Sequence, residues 1–396
     1  MSLSVVAENA SRLQLSDIRR NAIIAAIAFL TVVDLFAAQA ILPSLALAYS
    51  VTPAVMGLAV NACTLGMAAA SLAIALASPR IERRLGILGS LCALVAPTLL
   101  LAFAPDIGTF AALRVAQGLC MASAFALTLA YLGENCASNV ASGAFAAYIA
   151  GNVGSNLIGR IASAALVEHF GLRANFITLA LLNLLGGVLV VTTIRSARLP
   201  AMTGSRTGLS GIRVNLVRGD MRAAFVIGFC ILFAFIGAFT YVNFVLVRAP
   251  LALTPMSLGL VYLVFAPSLA TTLAAGAVVE RVGSRLALRG GIGIAAAGLP
   301  LTLAPTLPPV LAGLTLVGVG TFFAQAVASG YVGRNATEDR GAASGLYLAS
   351  YFLGGLVGTA VLGIVFEQWG WGACIAGVLT ALAIAAFASR NLRKSS

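Results

Sequence analysis

Charge is what this sequence has least of. Asp, Glu, Lys and Arg make up 9% of its 396 residues while 60% are hydrophobic, a balance that a soluble domain of this size could not hide from water. There is one histidine, His169, which excludes a His-based catalytic or metal cluster. The six cysteines, Cys63, Cys92, Cys120, Cys136, Cys230 and Cys374, lie in or beside apolar runs with neither CxxC nor a paired spacing. They read as packing residues, not as a disulfide framework or a zinc site. A Walker-type phosphate loop is also missing, and the loops leave no room for a nucleotide-binding domain. No enzyme, no cofactor and no primary pump is therefore expected. A receptor or scaffold would call for a large soluble domain, which the chain lacks.

What is present is a series of about twelve apolar runs; 396 residues divided by twelve leaves about 33 per run, a helix of roughly 20 residues plus a short turn. The runs fall at about 21–47, 53–78, 87–104, 107–131, 138–166 and 173–193, then 222–247, 254–279, 287–305, 308–331, 342–366 and 371–389. This predicts a polar tail over 1–20, a bundle over 21–193, a linker of 28 residues over 194–221, a second bundle over 222–389 and a tail over 390–396. Arg19 and Arg20 before an apolar run and Ala38-Gln39-Ala40 after it mimic a secretory signal. Because the downstream chain is also membrane, cleavage is not expected.

The net charge of +12 does not point to nucleic acid, because the arginines stand between apolar runs and do not cluster on a polar face. It is topological. Twenty of the 24 Lys and Arg fall in the tails, the linker and alternate loops on one side, against Arg173 and Arg248 on the other and Arg114 and Arg160 within spans. By the positive-inside rule both termini are cytoplasmic, in a bacterial inner membrane.

The two halves repeat. Tyr131-Leu132-Gly133-Glu134-Asn135 falls on Tyr331-Val332-Gly333-Arg334-Asn335, Glu82-Arg83 on Glu280-Arg281, and Tyr148, Gly159, Glu168 and Gly171 on Tyr347, Gly358, Glu367 and Gly370, at offsets of 198 to 200. This implies two six-helix bundles in parallel. Glu168 and Glu367 read as solvated loop charges. Trp369 and Trp371 read as interface anchors of the last hairpin.

Gly276-Ala277-Val278-Val279-Glu280-Arg281-Val282-Gly283-Ser284-Arg285 resembles the loop motif G-x-x-x-(D/E)-R-x-G-x-(R/K) of the major facilitator superfamily. A degraded copy, Ser78 to Gly86, holds Glu82 and Arg83. Arg114-Val115-Ala116-Gln117-Gly118 is similar to the R-x-x-Q-G motif of that family's fourth span, and Asp34 nine residues before Pro43 is similar to the D…A-L-P pattern of the first span of its exporters. Span 5 carries Gly151, Gly154 and Gly159, which resembles the glycine-rich fifth span of drug:proton antiporters, although the usual G-P pair is absent. The resemblance spans nearly the whole chain. It implies an all-α membrane protein of twelve helices in two pseudo-symmetric six-helix bundles, closest in motifs to drug:proton antiporter exporters. It also implies that the loop motif latches the halves, and that spans 1, 4, 7 and 10 line a central cavity.

Under that implication the cavity residues are Gln39, Arg114, Gln117, Tyr241, Asn243 and Gln325, joined by Asn152, Asn156 and Arg160 of span 5. Phe36, Phe233, Phe235, Phe239, Phe322 and Phe323 could add aromatic surface. Asp34 is the one acid deep in a span. A carrier driven by protons needs a group whose charge can be neutralised, and burial disfavours the ionised carboxyl, so Asp34 is the proton-coupling candidate. The competing reading is a fixed ion pair of Asp34 with Arg114 or Arg160. The partners expected are protons, a small-molecule substrate and the lipid bilayer, with the chain acting as a monomer. The leading function is proton-coupled export of small apolar or cationic compounds by alternating access. The other is carriage of a specific polar metabolite, a sugar or an organic anion, with Arg114 and Arg160 as anion partners.

Overall fold

The computed structural model describes residues 3–77, 81–135, 138–194, 209–336 and 340–393. Arg80, Arg195, Arg198, Arg206, Lys394 and half of the expected linker lie outside them. Among the described residues, ten helices are long and apolar enough to cross a membrane. Two are too long to cross once: Ala147–Thr193 has 47 residues and Gly341–Asn391 has 51, roughly 70 and 76 Å at 1.5 Å per residue against a hydrocarbon core of about 30 Å. Each is broken by a glycine, Gly171 at φ 80°, ψ 175° and Gly370 at φ 76°, ψ −169°. Counting each as two gives twelve crossings.

In chain order, α1 (Leu3–Ala40) and α2 (Leu42–Tyr49) form span 1, and α3 (Pro53–Asn61) and α4 (Cys63–Ala77) form span 2. Spans 3 and 4 are α5 (Arg83–Leu101) and α6 (Ile107–Asn135), and α7 (Ser138–Thr193) supplies spans 5 and 6. After α8 (Leu209–Val217), α9 (Gly219–Leu246) is span 7. Span 8 is α10 (Pro255–Val261) and α11 (Ala266–Val282), joined by a 3-10 turn over Tyr262–Phe265. α12 (Ser284–Gly298), α13 (Leu307–Asn335) and α14 (Arg340–Ala388) complete spans 9 to 12. Twelve crossings return both termini to one end, the terminal end; the opposite end is the far end.

Three expectations change here. The first tail is not irregular: α1 runs without a break from Leu3, since no Gly or Pro interrupts the sequence before Pro43. Part of the expected linker is helical, as α8. Spans 3 and 9 begin earlier than the apolar pattern suggests, because Arg83 and Arg285 belong to their first turns and Arg289 to the second turn of span 9. Long basic side chains at a span end keep their heads out of the apolar layer, so charge misplaces the boundary.

The loop motif has a backbone reason. Gly283 joins α11 directly to α12 at φ 80°, ψ 156°, a region open essentially to glycine alone. In the first half Glu82 takes that place as the N-cap of α5, accepting from the backbone N of Arg84 and Leu85 at 3.2 and 2.6 Å. The helix starts therefore align at an offset of 201 (284 − 83), three more than the pairing of Glu82 with Glu280. At that offset Arg84 matches Arg285. Arg84 Nη2 donates to Val191 O at 2.8 Å, and Arg285 Nη2 to Arg390 O and Leu392 O at 2.5 and 2.6 Å. Both arginines hold the last turn of the sixth span of their own half, so these contacts brace each bundle internally. Glu280, Arg281 and Gly276 are exposed, and Arg83 donates to Ile81 O at 3.1 Å. Replacing Gly283 by alanine should cost about 1–3 kcal/mol from its backbone conformation alone, read as a lowered Tm of the purified protein; the same change at Gly290, which has open space around it, should not lower it.

The bundles meet along two helix pairs, α4 with the first half of α14 and the first half of α7 with α10. Small residues make this approach possible: Gly345 lies on Ala75 and Ser71, Gly259 on Ala164, and Gly363 on Ala54. Trp369 is exposed, as an interface anchor would be. Trp371 instead donates Nε1 to Thr302 inside the second bundle, at 3.2 Å.

Candidate functional site

Three layers of residues meet around span 1: Asp34 sits beside the cavity, at the level of the lining residues Val32, Leu35 and Phe36, and Gln39 lies about one turn further toward the far end. The first surrounds Asp34 inside the first bundle. Its Oδ1 accepts from Gln117 Nε2 at 3.1 Å and lies 3.2 Å from Thr98 Oγ1, while its Oδ2 is buried without a partner. Gln117 also donates to Thr98 Oγ1 at 2.7 Å, and Asn183 donates to the same oxygen at 3.1 Å. Spans 1, 3, 4 and 6 thus converge on one carboxyl.

Arg114 supports this group from behind without pairing with it. All three of its nitrogens are used: Nε donates to Val60 O (2.8 Å), Nη1 to Gln117 Oε1 (2.7 Å) and to the backbone O of Asp34 (3.1 Å), and Nη2 to Cys63 Sγ (3.1 Å). Among the described residues no guanidinium nitrogen lies within 4.0 Å of the Asp34 carboxyl oxygens. Neither of the ion pairs weighed from sequence, with Arg114 or with Arg160, is formed.

The second layer is the central cavity between the bundles. Val32, Leu35, Phe36, Phe235, Phe322 and Tyr351 form much of its wall, with Thr64, Asn152, Thr321 and Gln325 as polar points. Its free space is about 70 Å³, room for a few waters. Spans 1, 4, 7 and 10 all contribute, as the resemblance implied, and so do spans 2, 5 and 11. Of the expected aromatics, Phe233 and Phe323 are not part of the wall; the Phe323 ring lies against Gly291. Phe239 stacks behind Phe235 at 4.9 Å between ring centres. Tyr241 does not reach the cavity either: its hydroxyl donates to Thr359 O at 2.6 Å and its ring stacks on Phe366.

The third layer joins the bundles on the far-end side of the cavity. Arg160 Nη2 donates to Gln39 Oε1 at 2.5 Å and Nε to Asn156 Oδ1 at 2.7 Å, and its Cζ stands 4.0 Å over the Tyr262 ring of the other bundle. Gln39 Nε2 donates to Asn61 Oδ1 at 2.7 Å, and Asn61 Nδ2 crosses to Thr240 Oγ1 at 3.0 Å. Asn243 accepts from the Tyr262 hydroxyl and donates across to the backbone O of Gln39 at 3.0 Å. That carbonyl is available because its helical partner would be the N–H of residue 43, and Pro43 has none. The same proline ends α1 and starts α2, so one residue both bends span 1 and frees an acceptor for the opposite bundle.

At the far end itself the contact becomes reciprocal. Glu367, at the end of span 11, accepts from Ala54 N at 2.9 Å, and Glu168, at the end of span 5, accepts from Met256 N at 2.6 Å. Each acceptor caps the start of a helix in the other bundle, within the matching sequences Thr52-Pro53-Ala54 and Thr254-Pro255-Met256. Both glutamates are exposed to solvent, as their sequence suggested, and each in addition accepts a backbone hydrogen bond from the other bundle. A carboxylate at a helix N-terminus contributes about 0.3–1 kcal/mol, so losing both should shift the closed far end by about 0.6–2 kcal/mol. Glu168→Gln with Glu367→Gln should therefore lower the yield of a cysteine-pair crosslink across the far end, read on the full chain in membranes. An unchanged yield would show that the clasps do not bias closure.

Sequence reasoning singled out Asp34, Gln39, Arg114, Gln117, Asn156, Arg160 and Asn243, and the structure brings them into two adjoining networks. It missed Asn61, Thr98, Asn183, Thr240 and Tyr262. The signal available was a lone amide in an apolar run, as in Val60-Asn61-Ala62 and Leu182-Asn183-Leu184, which carries no charge to draw attention. Among the described residues no group of three His, Cys, Asp or Glu could hold a metal ion.

Comparison with known proteins agrees with this architecture. The Major Facilitator Superfamily profile matches residues 24–267 and 227–395. The chain is 27% identical over 373 residues to an uncharacterised MFS-type transporter, YybF, of Bacillus subtilis (strain 168), covering 93% of this chain and 91% of that one. It is 25% identical over 362 residues to the inner membrane transport protein YnfM of Escherichia coli (strain K12), covering 91% and 87%. Its fold matches a bacterial homologue of the human lysosomal transporter Spinster in an inward-facing, unoccupied conformation, with a TM-score of 0.75 at 14% identity over 95% of this chain and 97% of that chain. The chain is a multi-pass membrane transporter and belongs to the Major Facilitator Superfamily.

Proposed function

We propose that this transporter is a proton-coupled exporter of small apolar compounds that works by alternating access, with Asp34 carrying the proton. The observation behind the proposal is the Asp34 carboxyl: fully enclosed, unpaired with any cation, and holding one oxygen without a partner. A fixed structural carboxylate in that position would be expected to have an ion pair or a full set of donors. A proton on Oδ2 would leave Oδ1 as the acceptor it already is.

The cavity supports the substrate class. Its wall is aliphatic and aromatic, and among the described residues no acidic side chain lines it, which narrows the sequence reading from apolar or cationic compounds toward apolar ones. Asp34 lies between Val33 and Leu35, one residue from the cavity wall, so a change in its hydrogen bonds moves span 1 where span 1 touches substrate. We place the terminal end in the cytoplasm of a bacterial inner membrane. Residues 21–193 and 222–389 rock against each other as a monomer in the bilayer, with 194–221 as the slack between them. The far-end seal then closes the outer side.

A growth panel tests the reading. Cells expressing the protein should survive small apolar growth inhibitors at concentrations that stop cells carrying an empty vector. If no compound of that class is tolerated better, export of apolar compounds is wrong.

A further inference from the structure

Two arginines are buried in the spans, and they differ in one respect. Every nitrogen of Arg114 has a partner, so that side chain is used up holding spans 1, 2 and 4 together. Arg160 is not. It is fully enclosed and stands beside the Tyr262 hydroxyl, its Nη1 makes no well-formed hydrogen bond, and the neighbouring Asn156 Nδ2 makes none either. Among the described residues no carboxylate lies within 4.0 Å of the Arg160 guanidinium. An enclosed cation with a spare N–H and no counter-ion is costly, and what surrounds it is aromatic: Tyr262 at 4.0 Å, Phe265 at 5.5 Å and Phe36 at 5.6 Å from its Cζ to the ring centres.

The position gives this spare capacity a use. Asn152 lines the cavity, and Asn156 and Arg160 follow it at successive i, i+4 steps, neighbours along a helix at about 6 Å per step. A polar stripe therefore leads up span 5 from the cavity to the guanidinium. Phe36 is shared: it belongs to the cavity wall and lies against Arg160. The cation stands behind one movable ring at the far-end limit of an apolar chamber.

We infer that Arg160 anchors a carboxylate on the transported compound, so that the substrates are amphipathic organic acids with an aromatic or branched apolar body in the cavity and one anionic group at Nη1 and Asn156 Nδ2. A planar guanidinium suits a carboxylate, and an N–H that gains an acceptor only when substrate is present rejects analogues lacking one. The inference rests on the reading that the central cavity is the substrate site, and it replaces a wholly apolar substrate by one whose apolar body carries a single carboxylate. A carboxylate that reached Nη2 as well as Nη1 would displace Gln39 Oε1, linking substrate arrival to the seal.

The test compares three isosteric probes on the purified full-length protein: 2-naphthoate, the neutral 2-naphthamide and the cationic 2-naphthylmethylammonium, with binding measured calorimetrically. The carboxylate should bind about tenfold or more tightly than the amide, the range for a hydrogen bond to a charged group. Arg160→Gln should erase that preference, so that carboxylate and amide bind it alike, and Asp34→Asn should keep it. Equal binding of carboxylate and amide to the unaltered protein, or a preference that survives Arg160→Gln, overturns the inference. If Arg160→Gln does not fold, Arg160→Lys decides: a preference reduced there supports the site, and an undiminished one rejects it. Failure here leaves proton coupling standing, because that is read separately as Asp34-dependent proton movement.

Discussion

Asp34→Asn is expected to abolish proton-driven transport in proteoliposomes, bringing it to the level of protein-free vesicles, while exchange of substrate without a proton gradient continues. Asparagine keeps an acceptor oxygen in the Oδ1 position, where Gln117 and Thr98 converge. It cannot gain or lose a proton. The same variant separates this role from a static ion pair by its stability. Breaking a buried ion pair typically costs about 3–5 kcal/mol, whereas altering one hydrogen-bonded group costs about 0.5–1.5 kcal/mol. With no cation among the described residues within 4.0 Å of the carboxyl, the smaller cost is expected, read as a modest drop in Tm. Proton-dependent transport that survives the substitution would remove Asp34 from the coupling mechanism. A large loss of stability would restore the ion-pair reading.

The second large effect is expected at Gly118. A Cβ there would stand 1.9 Å from the carbonyl oxygen of Cys63, and one on Gly66, across the same contact, 2.0 Å from that of Val115. Both obstacles are backbone, so α4 and α6 would have to separate by more than an ångström. Overpacking of side chains costs about 1–3 kcal/mol, and a backbone obstacle cannot relax by changing rotamer. Gly118→Leu should leave no monodisperse protein on size exclusion. Gly89→Ala, with nothing within 4 Å of the new methyl, should extract and elute like the unaltered chain. If Gly118→Leu purified normally, the close approach of spans 2 and 4 would be in error. The effect also explains the R-x-x-Q-G spacing as one device. Arg114 takes the Val60 carbonyl beside the break between α3 and α4, Gln117 reaches Asp34, and Gly118 admits α4, the helix that begins at Cys63.

Much of the fold was legible because it depends on patterns that survive in one dimension. Twelve apolar runs, basic residues at alternate turns and a repeat near 200 residues all follow from the bilayer and from the duplication. The repeat extends to packing that sequence does not display. Gly151 lies on the Ala25 carbonyl as Gly354 lies on that of Phe229, and Gly159 on Val33 as Gly358 on Phe233. The glycine stripe of span 5 thus has a packing role, while the polar stripe beside it, Asn152 to Arg160, serves the cavity and the seal. What was not legible depends on partners that have no sequence signature. Asn243 binds a carbonyl left open by a proline 200 residues away, and Glu367 binds the amide of Ala54. In both pairs one member is backbone, so no residue type marks it. Arg114 and Arg160 looked alike in sequence as lone arginines in apolar spans, and only their neighbours distinguish the one that is spent from the one that is not.

The two glutamate clasps have a consequence for how the halves recognise each other. Each half supplies a donor, a Thr-Pro helix start, and an acceptor, a glutamate two spans or more further on, and each donor is met by the other half's acceptor. In the language of subunit assembly this is an isologous edge, the arrangement of a twofold dimer, here written into a single chain. Either half alone carries both complementary pieces. The first half by itself therefore presents a surface that matches a second copy of itself at the same two points, so the linker determines which partner is met first, while the clasp chemistry by itself does not.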